Sequence, residues 1–562
     1  MRFLALLCSL LVLSSVAPSV HAQRAVTEDT PLRPVTRTLA FTNARVVQAP
    51  GQALDRATVV VRDGLIAAVG PDVTIPFDAR VIEADSLTVY AGFIDALGYA
   101  GVPKPDGDDP DIDNPDEPPR AHSGLTPDRD VRALLDADQG RIEQLREIGF
   151  TAAHVAPRDG FFAGTTALIL LAGDTPESMV LRGDVAQLAQ FDTAPGVYPA
   201  TPMAIIARMR ELMQQASEMD AAAETYAEVP RGRGRLTYDP VIDALAPAAR
   251  GDQVLFFVVD DSNEAHRALK LAADTGTEVL LAGLLDATPL ADRLADEDRP
   301  LLLSLDLPDA LEEDSTASDA ALATRTFSYE GLDAEREALM AKRRAAMERL
   351  EGSAADLEDR AVPFAFALFD MKPGDVRANL RRLIAAGLSE DAALAALTTD
   401  AADLVGLSAM HGTVEAGRMG NLVVTQGSYF EEDTPIRYVV VDGHLFEMKQ
   451  DEAPEGADLD AVVIATGTWD YTAEVPGSPT SGTFTLEGNA DNLSGSITTP
   501  QLGTVTFDSV TLEGNVLTMV FDAPGMGRIT GTGLIDGDTF SGALEVQGGD
   551  FTIPMEATRQ PE

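Results

Sequence analysis

Between about Arg120 and Leu407 the chain keeps repeating one alternation, an apolar run of strand length followed by a segment with helical spacing. The strand-like runs include FTAAHVAP, TTALILLAG, QVLFFVVDD, TEVLLAGL and PLLLSLDLP, and segments such as DVRALLDADQGRIEQLREIG and NEAHRALKLAADTG are helix-like. Strands that alternate with helices on this scale imply a parallel sheet or barrel whose faces the helices cover.

The flanks follow a different rule. TLAFTNARVV, ATVVVRDGLIAAVG and ARVIEADSLTVYAGFID read as short strands, with Arg62-Asp63-Gly64 as a hairpin turn. From Thr413 strands return in TVEAGRMGNLVV and IRYVVVDGHLFEM, the second turning on Asp442-Gly443. The acidic run DEAPEGADLD reads as a linker, and residues 462–562 as roughly eight strands of an antiparallel sandwich or closed barrel. A chain of 562 residues is too long for one ordinary domain, and no repeat of roughly 20 to 50 residues runs through it.

The opening MRFLALLCSLLVLSSVAPSVHAQ has a basic Arg2, an apolar run from Phe3 to Val16 and a small-residue site at Val20-His21-Ala22. It reads as an export signal over residues 1–22, so the expected location is periplasmic or extracellular. The run is shorter than the roughly 20 apolar residues of an anchor, and no later segment has the pattern of a membrane span. Cys8, the one cysteine, lies in that signal; past the cleavage site, disulfides, cysteine-bound zinc and cysteine nucleophiles are excluded.

A formal charge of −48 argues against nucleic acid as a partner, since phosphate contacts need clustered Lys and Arg. PKPDGDDPDIDNPDEPPRAHSGLTP, within 103–127, reads as an acidic, proline-rich loop, and it lacks the glycine and terminal glutamate of an EF-hand. RGRGRL, from Arg231 to Leu236, is a basic spot that reads as a solvated loop.

A β module that is interrupted by an α/β domain and then completed resembles the amidohydrolase superfamily, over about Thr38 to Met448. The residues that carry the resemblance are TNARVV…ATVVVRDGLIAAVG…VIEADSLTVYAGFID at the front and ALAALTTDAADLVGLSAMHGTVEAGRMGNLVV…VVVDG at the back. Between them, GFTAAHVAPRDGFFAGTTALILLAG, LLLSLDLP and VPFAFALFD look most like exported imidazolonepropionase-related proteins of bacteria. The resemblance implies an α/β fold, a (β/α)8 TIM-type barrel over 91–411. A composite β-sandwich from both flanks, 34–90 and 412–450, goes with it. A linker over 451–461 and a C-terminal all-β sandwich or barrel over 462–562 complete the expected layout.

The same resemblance implies hydrolysis of C–N bonds by one or two divalent metals at the C-terminal mouth of the barrel. It also marks the ligand positions. The first-strand pair, two histidines in the family, falls here on Leu97 and Tyr99, just after Gly92-Phe93-Ile94-Asp95. Leucine cannot bind a metal, and a phenol with a pKa near roughly 10 is a poor substitute for imidazole. Among lysines that could bridge two metals, Lys104 is in the acidic loop, Lys270 and Lys342 are on helix-like segments, and Lys372 follows the last strand. Val259 stands where relatives carry a strand histidine, and VLLAGLLD has no histidine. Asp370 matches the last-strand aspartate, the family's ligand and general base.

The candidate pocket is therefore Asp95, Leu97, Tyr99, His154 and Val259, with Asp370 as the candidate catalytic group and no metal ligand set. His154 is the one histidine on a barrel strand; His122 and His266 read as solvated, and His411 and His444 belong to the returning β module. No G-x-S-x-G elbow or phosphate-binding glycine loop is present. Three functions compete. The first is a non-catalytic homologue that binds a small molecule or peptide, or pairs with an active amidohydrolase or with itself. The second is a C–N hydrolase with an atypical site built on Asp370, Asp95 and His154, and the third is an envelope or surface protein that binds through its C-terminal β domain. No cofactor is expected in the first reading, while the hydrolase reading would take one divalent, zinc-like metal.

Overall fold

The computed structural model describes residues 38–104, 114–115, 118–120, 122–192, 197–308, 332–432 and 434–448, and then 454, 456–458, 461–473, 480–489, 492–499, 503–507, 509–523, 527–546 and 551–560. The export signal with Cys8, residues 105–113 of the acidic loop and part of the linker lie outside the described residues.

Strands β1 (Thr38–Ala49), β2 (Gln52–Arg62), β3 (Leu65–Gly70), β4 (Arg80–Glu83) and β5 (Thr88–Ala91) come first. β2 and β3 turn on Asp63 and Gly64, whose φ values of 51° and 80° suit a two-residue hairpin matched to strand twist. β5 runs through Gly92 alone into β6 (Phe93–Gly98). At Gly92 a Cβ would lie 2.2 Å from the Thr151 hydroxyl oxygen, so only glycine lets the chain pass from one layer to the next.

The strands that follow are β7 (Phe150–Val155), β8 (Phe162–Thr165), β9 (Ala167–Leu170), β10 (Val180–Arg182), β11 (Ala186–Gln190), β12 (Val254–Val258), β13 (Val279–Leu284), β14 (Leu301–Ser304) and β15 (Phe364–Ala367). Helices link them, among them Pro202–Glu228, Pro240–Arg250, Ser262–Thr275 and Leu332–Asp359. Local chemistry sets their ends: the Asp261 side chain accepts from the Glu264 N–H at the start of Ser262–Thr275, and Gly276 closes it in the left-handed region. Between Asp130 and Phe150 the expected long helix is only a short turn plus Gly140–Glu147. Asp136, Asp138 and Gly140 in its middle favour turns over helix.

β6 and β7 are parallel, as are β11 through β15 in order. β8 and β9, separated only by Thr166, form one bent stave that runs antiparallel to β11 and β7. The ring closes where the Leu368 and Phe369 N–H groups donate to the Leu97 carbonyl at 3.1 and 3.2 Å, with Gly98 bridging Phe369 in parallel. The expected α/β domain is present. A regular (β/α)8 ring is corrected in one stave: no helix separates β7 from β8, only residues 156–161, so the chain doubles back there and the stave that follows pairs antiparallel.

After the ring, β16 (Leu422–Thr425), β17 (Ile436–Val441) and β18 (His444–Glu447) complete one eight-stranded sheet with the opening strands, in the order β18-β17-β16-β5-β1-β2-β3 with β4 on β1. Lys449–Glu562 forms a separate compact unit. It holds β19 (Gly467–Ala473), β20 (Thr480–Asn489), β21 (Asn492–Thr499), β22 (Gly503–Thr506), β23 (Ser509–Glu513), β24 (Val516–Ala523), β25 (Gly527–Asp536), β26 (Thr539–Val546) and β27 (Phe551–Arg559). The additional β20–β21 pairing closes eight of them into a barrel and leaves β22 attached to β21. Trp469, Phe484, Leu517, Met519, Phe540 and Met555 fill its core.

Two buried histidines tie the ring together. His154 on β7 sits 2.7 Å through Nε2 from the Thr166 hydroxyl, and Thr166 is also bonded to Ala186 of β11, so one side chain joins three staves at the bend. His411, just ahead of the returning strands, is buried with Nε2 3.1 Å from the Thr151 hydroxyl of β7, while the Gly412 N–H donates to its Nδ1 at 2.9 Å. Burial pushes His154 down to about 3, helped by the charge of Arg182, and His411 down to about 4.

Two predictions follow from these cores. A histidine whose folded pKa is depressed contributes stability that is fully present above the unfolded value near 6.5 and is lost as pH falls toward the folded value. The gap in urea stability between the wild type and His154→Gln should therefore narrow as pH drops from 7 to 4.5, by about 1.4 kcal/mol per unit below 6.5. A constant gap would contradict this. In the C-terminal barrel, Phe484 stacks on Trp469 with ring centroids 5.7 Å apart and meets Phe540 edge-on at 6.1 Å. Phe484→Ala should cost about 3–5 kcal/mol. Because Trp469 is the only tryptophan, the loss should appear as an earlier fluorescence transition.

Candidate functional site at the barrel mouth

The C-terminal ends of β6, β7 and β15 bring together Tyr99, Lys104, Arg158 and Asp370. β6 ends at Gly98, which puts Tyr99 at the rim. Three residues past β7, Arg158 turns its guanidinium across the mouth. Its Nη1 and Nη2 donate to the two carboxylate oxygens of Asp370 at 2.6 and 2.8 Å, and its Nε donates to the Val102 carbonyl at 3.1 Å. The same guanidinium lies 4.0 Å above the centre of the Tyr99 ring. Arg158 is only 9% exposed and Asp370 is 42% exposed, so the pair is held from below and open from above. Lys104, 74% exposed, adds an ammonium 3.5 Å from Asp370.

Burial pushes the Asp370 carboxyl up, but the hydrogen bonds and charge of Arg158, with help from Lys104 and Arg141, outweigh it and leave the group below the usual carboxylate range. The Tyr99 phenol goes the other way. Burial pushes it up to about 12, with Asp370, Asp159 and Asp192 adding to the rise against Arg158. A phenol held that high stays neutral.

Beneath this layer lies the seam of the ring. Asp95 is fully buried, and its Oδ1 accepts from the Leu97 N–H at 3.3 Å and the Leu368 N–H at 3.1 Å, joining the end of β6 to the end of β15. Its Oδ2 has no hydrogen-bond partner, and burial pushes the carboxyl up to about 6 against the charge of Arg141. Arg141 donates through its two terminal nitrogens to the carbonyls of Phe369 and Met371, each at 2.7 Å. This clamp holds Phe369 at a φ of 42°, a conformation that costs a non-glycine residue of order 1–3 kcal/mol. The strained turn is what aims Asp370 at Arg158.

The structure thus brings Tyr99 and Asp370 to one place and leaves the other candidates in the wall. Leu97 is buried in the ring core, as is Val259 just beyond β12. His154 is a structural group bonded to Thr166. Lys104, assigned to the acidic loop, reaches the mouth. Sequence reasoning missed Arg158, Arg141 and Arg129, whose Nη1 donates to the Arg158 carbonyl at 3.0 Å. The only signal was an arginine directly after FTAAHVAP, and the partners of Arg158 are 56 and 212 residues away.

The donor set does not fit a divalent metal. Two of the expected imidazole positions hold apolar side chains, a third holds a neutral phenol, and the surviving carboxylate has both oxygens on a guanidinium. Among the described residues, no group of three or more His, Cys, Asp or Glu is placed to hold a metal ion.

No protein-family model matches the chain. No curated protein matches it either. Solved structures do. The crystal structure of an amidohydrolase from Thermotoga maritima MSB8 is 17% identical, covers 73% of this chain and 100% of its own, and superposes with a TM-score of 0.58. A prolidase solved with N-methylphosphonate-L-proline, 16% identical over 73% of this chain and 100% of that one, scores 0.42. Phenylurea hydrolase B, 14% identical over 73% and 97%, scores 0.40. The last two scores are too low to weigh, so the assignment rests on the first, together with the eight-stranded sheet built from both flanks and the closed ring between its halves. The chain has the fold of the amidohydrolase superfamily.

Proposed function

We infer that this chain is an exported member of the amidohydrolase superfamily that binds a ligand at the mouth of its barrel and does not carry out metal-activated hydrolysis. The ring is read as a TIM-type barrel with one antiparallel stave, and its mouth takes a small molecule or peptide, or the surface of a partner chain. The observation that carries this reading is the Arg158–Asp370 pair. Hydrolysis in the family's manner needs a carboxylate free to hold a metal and take a proton from water, and here both oxygens of Asp370 accept from Arg158. Asp95 and His154, the other members of an atypical hydrolytic site, are fully buried; Asp95 bonds to backbone N–H groups and His154 to Thr166. Binding remains well served: Lys104 and the open side of Asp370 offer opposite charges to a ligand, next to the neutral Tyr99 hydroxyl.

The test is the metal content of the purified mature protein after dialysis against a weak chelator, read by elemental mass spectrometry. Near-zero zinc, iron, manganese and nickel per chain is expected, with no amide hydrolysis gained when these ions are added back. About one metal per chain, lost in Asp370→Asn, would overturn the reading.

A further inference from the structure

We propose that Arg158 is a built-in replacement for the catalytic cation: its guanidinium sits between the two positions that match family ligands, 99 and 370, and supplies the positive charge that holds Asp370 in place. The proposal rests on the reading of the mouth as metal-free and goes on to say what stands there instead.

Two positions far apart along the chain but on neighbouring strands at the seam meet on one side chain. The guanidinium carbon lies 4.0 Å from the centre of the Tyr99 ring, and the guanidinium grips the carboxylate of Asp370 with two bonds of 2.6 and 2.8 Å. A planar, delocalised cation can stack on an aromatic ring and bind a carboxylate bidentately at once, which an ammonium cannot. The tyrosine thus has a use that an imidazole ligand would not need. Leu97, at the third position, adds bulk without a donor, so nothing there competes for a metal.

The surroundings are built to keep the cation fixed. Val102 takes the Nε hydrogen, Arg129 holds the Arg158 carbonyl, and Arg141 holds the turn that presents Asp370. Arg158, at 9% exposed, is the member that is costly to leave without an opposite charge, while Asp370, at 42%, keeps part of its hydration. The replacement is electrostatic and not chemical. A guanidinium does not lose its proton in a protein and has no open coordination position, so it neutralises Asp370 without turning water into hydroxide.

Chemical rescue tests this on the full mature chain. Arg158→Ala should melt several degrees below wild type, and millimolar methylguanidinium should restore a large share of that loss in a saturable way, while methylammonium at the same concentration should not. Arg158→Lys, which keeps the charge but not the fork, should remain close to Arg158→Ala. If Arg158→Ala does not fold, the pair Arg158→Met and Arg158→Met/Asp370→Asn takes its place. The double variant, which removes both charges, should melt higher than the single one.

Failure of methylguanidinium to raise the melting temperature of Arg158→Ala would overturn the proposal, as would equal rescue by methylammonium. So would an Arg158→Met/Asp370→Asn chain no more stable than Arg158→Met. These outcomes differ from failure of the functional reading itself, which shows as metal in the wild-type protein.

Discussion

The closure of the ring between β6 and β15 is the constraint on which the rest of the larger unit depends. Its two strands are brought together by a bond between residues 273 positions apart, from the Leu368 N–H to the Asp95 carboxylate. Closing a loop of that length costs about 5 kcal/mol in chain entropy by the logarithmic rule, which a few backbone bonds and the packing around them must offset. The Leu97 carbonyl accepts two of those bonds, and Asp95 satisfies the N–H groups on both sides. The seam is buried, so each of these N–H and carbonyl groups would be expensive to leave unpaired.

The two ends of the ring domain are fixed by the same logic of short connections. Gly92 passes the chain from the eight-stranded sheet into β6 with no loop at all, and the Asn421 carbonyl, from the later flank of that sheet, accepts its N–H at 2.9 Å. One sheet made from both flanks therefore helps to hold the first and last ring strands near each other. On the far side of the ring, the bend at Thr166 is pinned by His154, whose burial keeps it neutral and hence able to sit in an apolar wall.

At the mouth the same fold carries a charge pair, Arg158 with Asp370. Family frames of this kind put charge at the C-terminal ends of the strands, and this chain keeps that charge but supplies it from Arg158, Arg141 and Lys104. The strained turn at Phe369, held by Arg141, keeps Asp370 forward even though it now meets a guanidinium. Positioning and charge pairing of this kind are also what ligand binding requires.

Much of this was legible in the sequence, and the reason is that periodicity and turn chemistry are local. Alternating strands and helices, the hairpins at Asp63-Gly64 and Asp442-Gly443, and the all-β end could be read because each depends on residues within about a turn or a strand of one another. The absence of imidazole at Leu97 and Val259 was legible for the same reason, since a missing side chain needs no partner to be recognised. What only the tertiary structure decided is everything that depends on direction and distance. TTALILLAG reads as one more barrel strand, and nothing in its composition says that it runs antiparallel. His411 reads as part of a β module and is in fact buried against Thr151. Arg158 is an unremarked arginine until the ring closes and places it against Asp370, because side-chain pairing across such separations is set by packing and not by any pattern along the chain.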